Sequence, residues 1–246
     1  MSIATTAWAK DHFGVRVAPN QKPVWENFVS WFGDSQVVDD AGQPLMAYHG
    51  SDSAISAFTP SEEGTFGPGI YFVDQAQDAT AYGEKVYAAY LNLQNPWVID
   101  ADHDSPGAFT EDHDHPGIEA VLALPNGRKL LDHAKDNESL HFGPELLNEL
   151  QSLGYDGVVA TYPDGCKEYV AFEPAQVKSA TQNSGNFDPN SIDLNDTYRS
   201  VSEQARPATP TPLDTLNFDG IAESLRERER ADQTNGQVAW NPRATR

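Results

Sequence analysis

Three stretches, far apart in the chain, each set a chemically capable side chain at or beside the end of an apolar run: Tyr48-His49-Gly50-Ser51, Gly69-Ile70-Tyr71-Phe72 and Lys167-Glu168-Tyr169-Val170-Ala171-Phe172. A strand end held in a sheet keeps such a group rigid at the mouth of a cleft. The carboxylate of Glu168 can stabilise a developing positive charge. The face of Tyr71 can hold a cationic ring, worth roughly 0.5–2 kcal/mol. The imidazole of His49 can hydrogen-bond a hydroxyl. Singly, each has a plainer reading: a solvated edge Glu, a core Tyr, a satisfied structural His. The order His, Tyr, Glu is what changes the odds.

The elements that must carry these groups read as α+β. Val24, Trp25, Phe28, Val29, Trp31 and Phe32 have helical spacing, with Pro23 suited to the first turn and Gly33 to the stop. Gln36–Val38, the Asp39–Gly42 turn and Leu45–Tyr48 read as a hairpin whose second strand delivers His49. After a Gly/Ser/Pro-rich loop, Ile70–Val73 reads as a strand. Asp74 is placed to cap a helix from Gln75 to Tyr82 that Gly83 ends. Val86–Leu93 and Trp97–Ile99 are strands; Ile118–Leu124, Lys129–Lys135 and Glu145–Leu153 are helices; Gly157–Thr161, Glu168–Phe172 and Gln176–Ala180 are strands. The irregular alternation argues against a βαβ repeat. Gly64–Gly69 reads as a mobile loop over the cleft, lacking the strand–helix context of a dinucleotide fingerprint. The organisation expected is a weakly ordered lead-in at 1–22, one domain at 23–194, and a mostly disordered tail at 195–246 with a possible short helix at Phe218–Arg230.

The three stretches resemble the H-Y-E signature of the diphtheria-toxin-type ADP-ribosyltransferases, which include the poly(ADP-ribose) polymerases. Glu168 through Val177, EYVAFEPAQV, resembles the polymerases' catalytic-glutamate strand; YHGS and GPGIYFVD resemble the first and second family motifs. The lead-in WFGDSQVVDDAGQPLMAYHGS, the span YLNLQNPWVID and the close EYVAFEPAQVKSATQNSGNFDPN look like the ADP-ribosyltransferase domains in polyvalent proteins of phages and mobile elements. Some bacterial effectors and toxins share that architecture. The resemblance covers roughly residues 24–194.

This resemblance implies an ADP-ribosyltransferase-like split β-sheet sandwich with flanking helices, and NAD⁺ as substrate between its halves. It implies cleavage of the nicotinamide–ribose bond and transfer of ADP-ribose. By it, Glu168, His49 and Tyr71 are catalytic, and His49, Gly50, Ser51, Tyr71 and Tyr82 bind NAD⁺. Glu168 would hydrogen-bond the nicotinamide ribose and stabilise its cation. His49 would bond the adenosine ribose, and Ser51 would help orient it. The backbone of Gly50 would meet the nicotinamide amide, since a residue without Cβ admits close approach. Tyr71 and Tyr82 would stack on the ring.

Two departures stand out. Ala79 occupies the place of a polymerase Ser that binds the amide, with Thr80 as a substitute. Cys166 replaces the Gln or Glu that arginine-directed toxins of the R-S-E type carry two residues before the catalytic Glu, so no arginine acceptor is assigned. The absence of a helical domain before His49 in this sequence favours single-unit transfer to a protein. The alternatives are an NAD⁺ glycohydrolase or an inactive fold used as a binding module.

Charge bears on the acceptor. The 246 residues carry a formal charge of −21. From Asn195 onward seven Arg face eight Asp/Glu, so the first 194 residues hold −20 of it. Such a body repels phosphate backbones, which disfavours nucleic acid as a partner and favours a protein with a basic face. His103, His113 and His115 among Asp102, Asp104, Asp112 and Asp114 lack regular ligand spacing, and no metal is assigned. One cysteine, Cys166, excludes an internal disulfide. With neither an apolar run of about 20 residues nor a secretory leader, the expectation is a chain made in the cytosol with no membrane segment. Signal-less injection or secretion stays open.

Overall fold

The computed structural model describes residues 2–62, 64–100, 108–110, 113–114, 118–136, 142–162 and 164–197. In chain order these form helices α1 (Ile3–Phe13) and α2 (Val24–Phe32), then strands β1 (Ala47–Ser51) and β2 (Ile70–Val73). A short helix α3 (Ala76–Ala79) runs into a 3-10 turn (Thr80–Tyr82), followed by strands β3 (Lys85–Leu91) and β4 (Trp97–Asp100). A small hairpin, β5 (Ala108–Thr110) with β6 (His113–Asp114), leads to helices α4 (Ile118–Leu122), α5 (Gly127–Asp136) and α6 (Gly143–Ser152). Strands β7 (Gly157–Thr161), β8 (Lys167–Ala171) and β9 (Val177–Ser179) complete the described fold.

Seven strands make one mixed sheet in the order β4-β7-β8-β2-β1-β3-β9. Strands β4 and β7 run parallel, which requires a long crossover, and α4–α6 provide it. The other pairs are antiparallel. Strands β1 and β2 share a single register pair, Tyr48↔Val73. By contrast β1 meets β3 through five pairs, from Ala47↔Ala89 to Ser51↔Lys85. The expected sandwich of two split sheets is therefore one continuous sheet, pinched at a seam between β1 and β2.

Each face of the sheet carries a core. Val158, Ala160, Val170 and Tyr71 pack with Leu130, Leu131, Leu146 and Leu150 of α5 and α6. Ile70, Phe72, Tyr169 and Ala171 form the opposite cluster with Phe58, Leu91 and Val177. The alternation along β2 and β8 assigns successive side chains to the two faces. A third cluster joins α1 and α2 to Tyr90 and Phe187.

Helix α2 begins after Pro23 and stops at Gly33, whose φ of 60° suits glycine. Residues 3–13, inside the stretch read as a lead-in, form α1. Ser2 caps it by accepting from the Ala4 N–H at 3.2 Å, and Trp8 and Phe13 pack on Tyr90 and Phe28. The hairpin read over 36–48 is present as an irregular one: the bridge Val38↔Pro44 is flanked by backbone bonds from the Leu45 N–H to the Val37 carbonyl at 3.0 Å and from the Asp39 N–H to the Gln43 carbonyl at 2.9 Å. The Asp39 side chain accepts from the N–H groups of Ala41 and Gln43, and the regular strand starts at Ala47. Asp74 does not cap α3: Gln75 occupies that position, and the Asp74 N–H donates to the Lys167 carbonyl, extending the β2–β8 ladder. The segment after β9 is anchored by Lys178, fully buried on that strand, whose Nζ donates to Asp196 Oδ1 and to the Ser191 carbonyl, each at 2.7 Å. Among the described residues no helix is long and apolar enough to cross a membrane. His103, His115, Asp102, Asp104 and Asp112, and the candidate helix at Phe218–Arg230, lie outside the described residues.

Candidate active site

Register brings the carboxyl and the Tyr71 phenol to one face of the sheet. Tyr71 lies opposite Val170, and Val73 opposite Glu168; on the other side of β8, Ala160 lies opposite Glu168. Directly paired residues point the same way, so Tyr71, Glu168 and Ala160 share a face. Glu168 is 4% exposed, and its Oε1 has no hydrogen-bond partner among the described residues. Burial pushes its pKa up to about 8, because the interior disfavours the charged form.

Tyr71 is held at its far end as well as by its strand. The Phe66 N–H donates to its hydroxyl at 3.1 Å, and the hydroxyl donates to the Gly67 carbonyl at 2.5 Å. A Cβ on Gly64 would sit 2.2 Å from that hydroxyl, so glycine there lets the turn close on the phenol. The Gly64–Gly69 segment, read as a mobile loop, is thus tied to β2. Burial first, then the Glu168 charge, holds the Tyr71 phenol well above its usual range.

His49 occupies the seam. Its Nδ1 lies 2.8 Å from the Tyr71 carbonyl oxygen, and a carbonyl only accepts, so Nδ1 carries the proton and Nε2 is the acceptor. Burial lowers the imidazole pKa, and the bond to the Tyr71 carbonyl opposes it. The ring packs edge-on against Phe58, at a centroid distance of 4.9 Å, and tilted on Phe72 at 5.5 Å. Both belong to the cluster opposite Glu168. His49 therefore reaches the carboxyl's group through the Tyr71 backbone, with its ring toward the other face.

Gly50 is required by packing: a Cβ there would lie 1.8 Å from the Ala79 carbonyl oxygen and 3.0 Å from Tyr82 Cβ. The close approach read for a ligand is made here by α3 itself. It also sets half-buried Tyr82 against β1. The Ser51 hydroxyl accepts from the Ser53 N–H at 3.1 Å, so it shapes the turn leaving β1. Ala79 is fully buried. The Thr80 hydroxyl, read as a substitute donor, donates to the Gln77 carbonyl at 2.6 Å.

One further residue joins the group. Tyr162 follows β7 on the same face as Val158 and Ala160. Its phenol is held well above its usual range by burial, then by Glu168, Tyr71, Tyr82 and Asp164. The alternation Val158, Ala160, Tyr162 was the available signal. Asp74, Asp78 and Cys166 bring ligand-type atoms within 4.8 Å of one another beside this group, and the Cys166 thiol lies 3.9 Å from Asp78 Oδ2.

The arrangement sets a buried carboxyl among tyrosines on one face of the sheet and ties it, through the Tyr71 backbone, to an imidazole packed on the other. No curated protein matches the chain. A solved structure described as the crystal structure of an anti-CRISPR protein is 18% identical, covering 54% of this chain and 91% of that one, with a TM-score of 0.33; so low a likeness supports no conclusion here. Residues 39–187, more than half of the chain, match the family model described as ADP-ribosyltransferase in polyvalent proteins, and the chain belongs to that family.

Proposed function

We propose that the chain is a mono-ADP-ribosyltransferase that cleaves the nicotinamide–ribose bond of NAD⁺ and passes ADP-ribose to a protein side chain, as an effector or toxin of bacterial or phage origin. The observation that supports this best is the Glu168 carboxyl, buried among tyrosines with Oε1 unpartnered among the described residues. An empty hydrogen-bonding site of that kind suits a sugar hydroxyl arriving with the substrate.

NAD⁺ supplies a glycosidic bond weakened by its cationic nicotinamide, and its cleavage develops positive charge on the ribose. Glu168 stabilises that charge as a carboxylate. In the free protein burial favours the neutral acid, and a cation set beside it restores the ionised form. Tyr71, fixed by strand and turn, is read as one ring for the nicotinamide to meet, and Tyr82 as a second. Their attraction is for the cationic ring of bound NAD⁺ and falls away as neutral nicotinamide leaves, which holds the substrate and lets the product go. Nε2 of His49, as an acceptor, suits a second ribose hydroxyl. The −20 body charge favours an acceptor protein with a basic face.

Bacterial and eukaryotic lysates incubated with labelled NAD⁺ and either the native chain or Glu168→Gln are the test. Label on protein with the native chain and none with the variant is expected. Equal labelling by the variant removes Glu168 from the mechanism. Nicotinamide release with no labelled macromolecule identifies a glycohydrolase, and absence of turnover identifies a binding module.

A further inference from the structure

Two buried polar atoms beside the β7–β8 turn lack a hydrogen-bond partner among the described residues: Glu168 Oε1 and Tyr162 Oη. The residues are 4% and 8% exposed. Ala160 lies opposite Glu168, and the Tyr162 N–H donates to the Cys166 carbonyl at 2.9 Å, carrying the antiparallel register one step further. Residues two apart on a strand share a face. Tyr162 is thus the diagonal neighbour of Glu168, at the spacing of about 7–8 Å that long side chains bridge. Tyr71 and Tyr162 belong to one buried cluster, and Tyr82 packs against it.

A buried hydroxyl is costly to leave without a partner. Two such atoms on neighbouring residues of one sheet face suit a ligand bearing hydroxyls of its own. A vicinal diol fits: one hydroxyl can donate to the Glu168 carboxylate while its neighbour accepts from the Tyr162 phenol. We propose that Tyr162 is a substrate-binding residue, its hydroxyl donating to one hydroxyl of the nicotinamide-bearing ribose while Glu168 accepts from the other. This rests on the NAD⁺ reading above and adds a contact outside the three signature stretches.

Tyr162→Phe removes one oxygen and, among the described residues, no hydrogen bond, so its melting temperature is expected to equal or exceed that of the native chain. Calorimetric titration of both full-length proteins with NAD⁺ and with its 2′-deoxy and 3′-deoxy nicotinamide-ribose analogues tests the contact. The variant is expected to bind NAD⁺ roughly 5–50-fold more weakly, the loss of one good hydrogen bond, and to match the native chain on one of the two analogues. Equal affinity for NAD⁺, or the same fold-loss on all three ligands, overturns the proposal and leaves the NAD⁺ reading standing. A melting temperature well below the native value overturns it too, since the hydroxyl then has a partner inside the protein. A native chain that binds no NAD⁺ overturns both.

Discussion

The Tyr71 carbonyl oxygen lies 2.8 Å from Nδ1 of His49, and this bond crosses the seam where β1 and β2 share one register pair. One residue therefore serves both halves of the sheet: its backbone orients the imidazole, and its phenol stands on the face of Glu168. The bond fixes the His49 tautomer, and burial keeps the ring neutral near pH 7.

His49→Asn tests that division of labour. Asn can still donate to the Tyr71 carbonyl but lacks the Nε2 acceptor. Its melting temperature is expected to stay within a few degrees of the native value while KM for NAD⁺ rises about tenfold, the loss of one hydrogen bond. His49→Ala should also lose about 1–3 kcal/mol of stability by leaving a buried carbonyl unpaired. Thermal melts beside initial rates check both; an unchanged KM in His49→Asn removes Nε2 from binding.

A pH profile reads Glu168 directly. With its pKa in the free protein near 8, kcat/KM should fall about tenfold per pH unit on the acid side of that value. The acid limb of kcat should lie lower, because a bound pyridinium cation favours the carboxylate. A kcat/KM that stays flat from pH 6 to 8 rules out an ionised Glu168 in the rate-determining event.

How much of this site was legible in sequence depended on how local its cause was. Pro23 and Gly33 marked the ends of α2, and the runs Ile70–Val73 and Gly157–Thr161 coincide with β2 and β7, because capping and short apolar runs act over a few residues. Helix α1 was not legible, since its aromatic partners Phe28, Tyr90 and Phe187 come from distant parts of the chain. The role of Gly50 was hidden for the same reason: Ala79, the group that requires it, arrives on another element. Tyr162 joins Glu168 only once the turn at Asp164–Gly165 sets the register, with Asp164 Oδ1 accepting from the Cys166 N–H. The residue types of a site can be read before folding; which face each one takes cannot.

Stability should record the cost of keeping Glu168 buried. Its folded pKa, about 8, lies above the ordinary carboxylate value of 4.5. Below pH 4.5 both states are protonated and no penalty applies. As pH rises from about 4.5 to 8 the unfolded chain ionises first, so native stability falls across that window, by about 3–5 kcal/mol in all. Glu168→Gln lacks this titration. Denaturant melts at pH 5 and pH 8 should show the variant gaining on the native chain at the higher pH; a constant difference between them would mean that the carboxyl is solvated or paired.

Lys178 and Asp196 make the sharpest demand on the fold. Their side chains are 0% and 2% exposed at 2.7 Å, and the two ions were desolvated together. Asp196→Ala strands a buried ammonium, a loss of about 3–5 kcal/mol. It should also release the segment from Asn183 to Asp188, where Asp196 Oδ2 accepts from the Asn183 side chain and the Asp188 N–H. Lys178→Met in the same chain removes the stranded charge at nearly constant volume, so the double variant should recover much of the stability that the single one loses. Urea melts of the four proteins complete the cycle. Additive losses would show that Lys178 finds another counter-charge, and the anchoring of the segment after β9 would then have to come from the Ser191 carbonyl and the packing of Phe187.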